Sequence, residues 1–215
     1  MNYLVIDVEM CKVPKHYRTK DYTYAKEIIQ IGAVLLDEHY SRIDTLSQYV
    51  HPEHGVIDHF IKDLTGIQNS QIKRVPRLKE ALLHMLDWIG ERPYRVYAWS
   101  DTDRAQLLRE VCSKNIQDER IASFLEEERW VDYQDVFVKR YDFTRQISLT
   151  EALERAGIEL ESRLHDGLND AIHTGYLIER LELNPDYQLV SYELPETDSK
   201  SFCGTLGELF AGLGL

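Results

Sequence analysis

Tyr3-Leu4-Val5-Ile6-Asp7-Val8-Glu9-Met10 decides the fold of this chain. Tyr3, Leu4, Val5, Ile6 and Val8 are strand-forming types, and Leu4-Val5-Ile6 is an apolar run of the kind buried on both faces of a sheet. Side chains alternate along a strand, so Asp7 and Glu9 share one face. Two carboxylates side by side at the end of a buried strand repel each other and lose hydration. A cation between them relieves both penalties, and oxygen-only ligands suit a hard divalent ion such as Mg²⁺ or Mn²⁺. The competing reading is an edge strand whose Asp-x-Glu faces solvent, and the apolar run argues against it.

Downstream, Glu27-Ile28-Ile29-Gln30-Ile31-Gly32-Ala33-Val34-Leu35-Leu36 forms a second strand. Asp37-Glu38-His39 makes a turn and residues 42–50 a third strand, so three strands form an antiparallel meander. Gly32 inside a strand points to a close backbone approach or a bulge. Residues 11–26 form a loop in which Lys12, Lys15, His16, Arg18, Lys20 and Lys26 interleave with Tyr17, Tyr22 and Tyr24. Such a loop contacts phosphates and stacks bases, or is a solvated connection. Residues 57–64 read as a short helix closed by Gly66. Phe60, Leu64 and Ile67 there are core, or the wall of a pocket for a base.

Leu78, Leu82, Leu83, Leu86 and Ile89 recur at helical spacing between Pro76 and Gly90. Residues 95–99 make a fourth strand. Ser100-Asp101-Thr102-Asp103 follows, leading into a helix with Ala105, Leu107, Leu108 and Val111 inward. Asp101 suits a helix cap. Asp103 suits a metal, lying in the crevice beyond the strand ends where open α/β sheets bind ligands. Residues 119–128 read as a charged, exposed helix, and residues 130–138 as a short strand passing into a helix. Ser148 and Glu151 form a capping box for a helix ending at Gly157. Arg163-Leu164-His165-Asp166-Gly167-Leu168-Asn169-Asp170 opens the last helix, with Ala171, Leu177, Ile178 and Leu181 inward. Asp166 caps it, Gly167 permits the turn, and Asp170 faces the sheet. His165 and Asp170 cannot share one helical face, but they can converge from loop and helix.

The 215 residues, 43% hydrophobic, suffice for one sizeable α/β domain, assigned to residues 1–183. Residues 184–215 are a C-terminal extension. Asn184 to Lys200, with Pro185 and Pro195, is a linker or surface arm. Phe202 to Leu215 places Leu206, Leu209, Phe210 and Leu213 at helical spacing, and could dock on its own domain, a dimer mate or another protein. The first residues do not read as a signal peptide, and no stretch reaches membrane-spanning length. Cys11, Cys112 and Cys203 show no disulfide or zinc spacing, which predicts a reducing, cytoplasmic setting. The net charge of −12 is uneven: residues 1–80 hold 11 Lys and Arg against 11 Asp and Glu, leaving 14 against 26 in residues 81–215. That balance suits an enzyme gripping a strand end and excludes a protein coating long duplex DNA.

Asp7 and Glu9, Asp103, Asp170, and His165 five residues before the last, occur in the order strand, strand-to-helix junction and helix. In this the chain resembles the DnaQ-like superfamily of 3′-to-5′ exonucleases, in its histidine-type (DEDDh) branch, over residues 1 to about 183. The stretches Glu27 to Gly32 and Leu64-Thr65-Gly66-Ile67 also look like that family. The long loop after Asp7-Val8-Glu9 is similar to members that trim RNA 3′ ends, and to bacterial relatives such as the sporulation-inhibitor exonuclease. One departure is that proofreading members usually carry an Asn before the Asp of the second motif; here Ser100 or Asp101 stands nearby, leaving Asp101 as an alternative to the favoured Asp103.

The resemblance implies an RNase H-like fold: a mixed five-stranded sheet, its first three strands antiparallel, flanked by helices. It implies two divalent cations, Mg²⁺ or Mn²⁺, with Asp7 bridging both, Glu9 and Asp170 completing one shell, and Asp103 acting mainly through water on the other. His165 would be the base. The 3′-terminal nucleoside of a single-stranded substrate, RNA favoured over DNA, would sit against Met10, Phe60, Leu64, Ile67 and Trp99. The product would be a nucleoside 5′-monophosphate. The rivals are a DNA repair or proofreading exonuclease and, from another class, a regulatory binding module tethered through its tail.

Overall fold

The computed structural model describes residues 1–18, 25–159 and 165–190. Its strands are β1 (Asn2–Lys12), β2 (Lys26–Leu36), β3 (Arg42–Tyr49), β4 (Tyr94–Ala98) and β5 (Trp130–Asp132). Its helices are α1 (His59–Thr65), α2 (Asn69–Ile72), α3 (Leu78–Ile89), α4 (Thr102–Ser113), α5 (Glu119–Phe124), α6 (Tyr133–Arg140), α7 (Leu149–Arg155) and α8 (Gly167–Glu182). The sheet order is β3-β2-β1-β4-β5, antiparallel across the first two pairings and parallel across β1–β4 and β4–β5. This is the mixed five-stranded α/β architecture expected, with β1 at the centre.

The centre is fixed by burial. Leu4, Ile6 and Val8 of β1 point to one side and pack against α3, α4 and α5 through Leu82, Met85, Leu107 and Phe124. Val5 points to the other, with Val34 and Leu36, against Phe137, Leu153, Leu177 and Ile178 of α6 to α8. A strand covered by helices on both faces needs apolar residues at odd and even positions, as Leu4-Val5-Ile6 supplies. The β1–β2 register shifts between Glu9 and Met10, and this bulge lets Ile28 and Ile31, three apart, face the same layer. Smaller packing under α1 and α2 joins Cys11, Ile29, Ile57, Ile61, Ile67 and Ile72.

Local signals decide most element ends. Asp58 accepts the N–H of Ile61 at 2.9 Å and starts α1 two residues later than expected. Gly66 ends it at φ 78°. Residues 119–128 are not one exposed helix: α5 stops at Phe124, Ile121 and Phe124 are buried, and a 3-10 turn over Glu127–Arg129 follows. Ser148 accepts the N–H of Glu151, but the Glu151 carboxylate pairs with Arg145 and Arg155. Residues 184–190 run as a surface arm: Tyr187 donates to the carbonyl of Ala156 at 2.6 Å and the N–H of Val190 to that of Arg155 at 2.8 Å. Lys20, Tyr22, Tyr24, Arg163, Leu164, Cys203 and the Phe202–Leu215 segment lie outside the described residues. Among the described residues no helix is long and apolar enough to cross a membrane.

Candidate active site

Asp7 and Glu9 stand on the α8 side of β1, where the sheet's central strand runs past the end of β4. The other acids reach them from helices on both sides. Asp103, in the first turn of α4, is 6% exposed and accepts the N–H of Val8 at 3.1 Å through Oδ1, which ties it to β1 between the two acids. Asp170, in the first turn of α8, accepts the N–H of His165 at 3.1 Å through Oδ2. Its Oδ1 is buried without a hydrogen-bond partner. Asp101 occupies the helix-start position but its side chain makes no cap bond, and its carboxylate lies near Asp132 instead. Asp103 is therefore the acid that joins the cluster.

Crowding shows in the ionisation of these groups. Burial, then the charges of Asp103, Asp170 and Glu9, hold the Asp7 carboxyl well above the usual carboxylate range. Burial followed by Asp170, Asp166 and Asp103 pushes Glu9 up to about 7. Asp103 is also pushed up to about 7, chiefly by burial, against the pull of the Val8 N–H. Asp170 is raised by burial, opposed by the His165 N–H. Four mutually repelling carboxyls, one with an orphaned buried oxygen, lack positive charge. Glu9, His165 and Asp170 can each offer one ligand atom within 4.8 Å of the others. This set of carboxylate oxygens with one imidazole nitrogen fits divalent cations.

Close packing at one point sets the cluster's geometry. Gly32 of β2 lies so near the start of α8 that a Cβ there would fall on the backbone of Gly167 and Leu168. Gly32 is thus a close approach, and the bulge sits earlier in β2, at Ile29. Gly167 serves the same contact: a Cβ on it would lie 3.1 Å from the carbonyl oxygen of Asp7. The tight turn before α8 is made by His165 itself, at φ 65°, rather than by Gly167. Asp166 caps the helix, accepting the N–H of Asn169 at 3.1 Å.

Sequence reasoning missed Gln30. It lies opposite Glu9 in the β1–β2 register and is fully buried. Its Nε2 donates to Asp166 at 3.1 Å and its Oε1 accepts the N–H of Gly167 at 3.1 Å, which bolts the start of α8 to the sheet. The signal was a lone amide in an otherwise apolar strand, where a polar group persists only with partners.

Of the five substrate-contacting candidates, three meet. Met10, Phe60 and Leu64 line a cavity of about 210 Å³ beside Glu9, together with Lys12, Lys26 and Ile61. Phe60 is 60% exposed, and the Lys12 ammonium lies 5.1 Å from its ring centre. Trp99 does not reach this cavity. It is buried edge-on against Phe137 and donates its indole N–H to the carbonyl of Ile147 at 3.2 Å, because β4 turns that side chain into the α6–α8 layer. Ile67 is also core, buried beneath α1 beside Ile61.

A family model described as Exonuclease (RNase_T) matches residues 4–178. The 3′-5′ exoribonuclease 1 of Rattus norvegicus is 28% identical over 157 residues, covering 69% of this chain and 44% of that protein. ERI1 exoribonuclease 2 of Homo sapiens is 28% identical over 177 residues, covering 72% of this chain and 25% of that protein. The chain thus spans less than half the length of these two curated relatives. Among solved structures, the nuclease domain of 3′hExo, a DEDDh family member, bound to rAMP, superposes with a TM-score of 0.73 at 23% identity, covering 88% of this chain and 96% of that one. Cell-death related nuclease 4 gives 0.71 at 18% identity, covering 87% and 65%. At these identities the structural likeness shows the fold.

Proposed function

The chain belongs to the exonuclease family, and from that premise we propose that it is a metal-dependent 3′-to-5′ exonuclease that releases nucleoside 5′-monophosphates from single-stranded ends, RNA in preference to DNA. The observation that carries this is the convergence of Asp7, Glu9, Asp103 and Asp170 beside a cavity of about 210 Å³, with His165 offering a ring nitrogen within 4.8 Å of Glu9 and Asp170. The RNA preference rests on the relatives' names, 3′-5′ exoribonuclease 1 and ERI1 exoribonuclease 2.

Asp7, Glu9, Asp103 and Asp170 would hold two divalent cations, Mg²⁺ or Mn²⁺; when bound, these supply positive charge to the attacking and leaving oxygens of a phosphodiester. The residues of the chain do the rest. Met10, Phe60 and Leu64 form an apolar bed for the terminal nucleoside. Val8 and His165 aim the carboxylates of Asp103 and Asp170 through backbone N–H groups. Exposed beside Glu9 and Asp170, the His165 imidazole takes the proton of the attacking water and passes it to solvent.

The test is a time course on 5′-labelled RNA and DNA of matched sequence, with Mn²⁺, Mg²⁺ or EDTA, for the wild type and Asp7→Ala. A metal-dependent ladder receding from the 3′ end, faster on RNA and lost in Asp7→Ala, is expected. Absence of any ladder from the folded wild type, or an undiminished ladder from Asp7→Ala, overturns the reading.

A further inference from the structure

Beyond the nucleoside cavity, β1 leads to a second cluster of a different kind. Lys12 is three residues past Glu9, about 10 Å along an extended strand. It lies directly opposite Lys26 in the β1–β2 ladder, and both line the cavity. Like charges facing each other across a ladder are destabilising. Lys12 has a distant partner in Asp58, at 3.9 Å, and among the described residues Lys26 has no ion-pair partner. An anion between the two ammonium groups removes the repulsion. In a chain of net charge −12, such a pair is a local exception.

Next to it stands an aromatic stack. The N–H of Val56 donates to the carbonyl of Lys12 at 3.0 Å, which brings residues 54–56 against the end of β1. Glu27 accepts the N–H groups of Glu53 and His54 at 3.0 and 2.8 Å and holds that loop in place. The His54 ring therefore stacks on Tyr17, at 4.8 Å and 20°, and the His16 ring lies 4.2 Å from that of Tyr17, tilted by 42°. Tyr17 remains 44% exposed in this stack, and His16 is exposed too. Three rings held together at the surface beside two facing ammonium groups, one of them without an ion-pair partner among the described residues, are the elements of single-strand binding: π-faces for bases and cations for phosphates.

We propose that the His16–Tyr17–His54 stack and the Lys12–Lys26 pair form a second subsite for single-stranded RNA, which takes the nucleotides 5′ of the terminal one. Its polarity along the strand rests on the exonuclease reading; its capacity to bind does not. The stack meets a base and the lysine pair meets the phosphate leading into the cavity, so the subsite sets how tightly a chain is held and not how fast the terminal bond breaks.

The experiment uses the full chain with two substrates. One is a 12-nucleotide RNA. The other is the p-nitrophenyl ester of a nucleoside 5′-monophosphate, which has a nitrophenyl group where the upstream strand would be. Tyr17→Ala is expected to raise KM for the RNA roughly 5- to 100-fold, with kcat retained and hydrolysis of the ester unchanged. Tyr17→Phe, which keeps the ring, is expected to restore the RNA KM. An unchanged RNA KM in Tyr17→Ala, an equal loss on both substrates, or failure of Tyr17→Phe to rescue overturns the proposal. Fluorescence anisotropy of the same RNA in EDTA separates this from the catalytic reading. If the wild type hydrolyses neither substrate, the exonuclease reading falls, while weaker RNA binding by Tyr17→Ala than by wild type upholds the subsite and equal binding overturns it.

Discussion

Replacing Gly32 by Ala tests the contact on which the site depends. The added methyl would fall on the backbone of Gly167 and Leu168, and backbone on both sides leaves no rotamer to relieve it. The start of α8 must retreat by on the order of 1 Å before carbon atoms regain an ordinary separation. Overpacking of this kind costs about 3 kcal/mol, which in a chain of this size lowers Tm by roughly 6–12 °C. The same retreat carries Asp170 and His165 away from Asp7 and Glu9, and a 1 Å misplacement costs about 10²-fold in rate. Two glycines calibrate the argument. At Gly167 the nearest atoms to a new Cβ lie at 3.1 and 3.2 Å, so Gly167→Ala should show a smaller loss of both quantities. At Gly175, well inside α8, they lie at 3.8 and 4.0 Å, so Gly175→Ala should stabilise by about 0.5–1 kcal/mol through helix propensity alone. The assays are thermal melting and ladder kinetics on 5′-labelled RNA. A Gly32→Ala protein that melts within 2 °C of wild type would refute the packing argument. One that melts low but keeps its rate would refute the link from packing to site.

His165→Ala should lower turnover by about 10²–10⁴-fold while leaving the cation concentration for half-maximal activity nearly unchanged; a cation titration checks this, and equal loss of metal affinity would reassign His165 as a ligand. Glu9 and Asp103, pushed up to about 7, release their protons later in the folded state than in the unfolded chain. In chelator the folded state thus binds more protons between about pH 4.5 and 7, and stability falls as pH rises through that window. Melting curves from pH 5 to 8 in EDTA should show that fall and Mn²⁺ should abolish it; a flat profile in EDTA counts against shared charge among the acids. Lys114 lies buried between Glu27 at 2.8 Å and Glu110 at 2.9 Å. Lys114→Met leaves two carboxylates without that cation and should cost about 3–5 kcal/mol in denaturant unfolding, and a change below 1 kcal/mol would show that the cluster's other hydrogen bonds suffice.

What could be read from the sequence was whatever local chemistry decides. The double-sided strand Leu4-Val5-Ile6, the meander through β3, the α3 stripe, and the Asp166 cap all follow from periodicity or from a single side chain's hydrogen bond. The acids of the candidate site were legible because Asp7 and Glu9 interrupt an apolar strand and Asp103 and Asp170 stand in the first turns of helices, where a carboxylate needs a reason. The misreadings arose where a distant partner decides. Trp99 looked available for substrate until Phe137 and Ile147, some 40 residues on, enclosed it. Glu126 to Glu128 looked like a continuation of α5, but burial of Phe124 and Trp130 turns the chain there. Gln30 gave only the weak signal of a polar residue among isoleucines, because its partners, Asp166 and Gly167, are more than 130 positions away.

The bond from the His165 N–H to Asp170 makes two candidate site residues into one thermodynamic unit. A histidine at φ 65° carries backbone strain on the order of 1 kcal/mol, and the carboxylate of Asp170 is what secures that conformation. Truncating Asp170 therefore removes a charge from the cluster and also releases the imidazole from its station. Losses at the two positions should then fail to multiply: the rate of Asp170→Ala/His165→Ala should lie close to that of Asp170→Ala alone. A lineage that kept the histidine but lost the aspartate would keep an imidazole with nothing to hold it beside the acids.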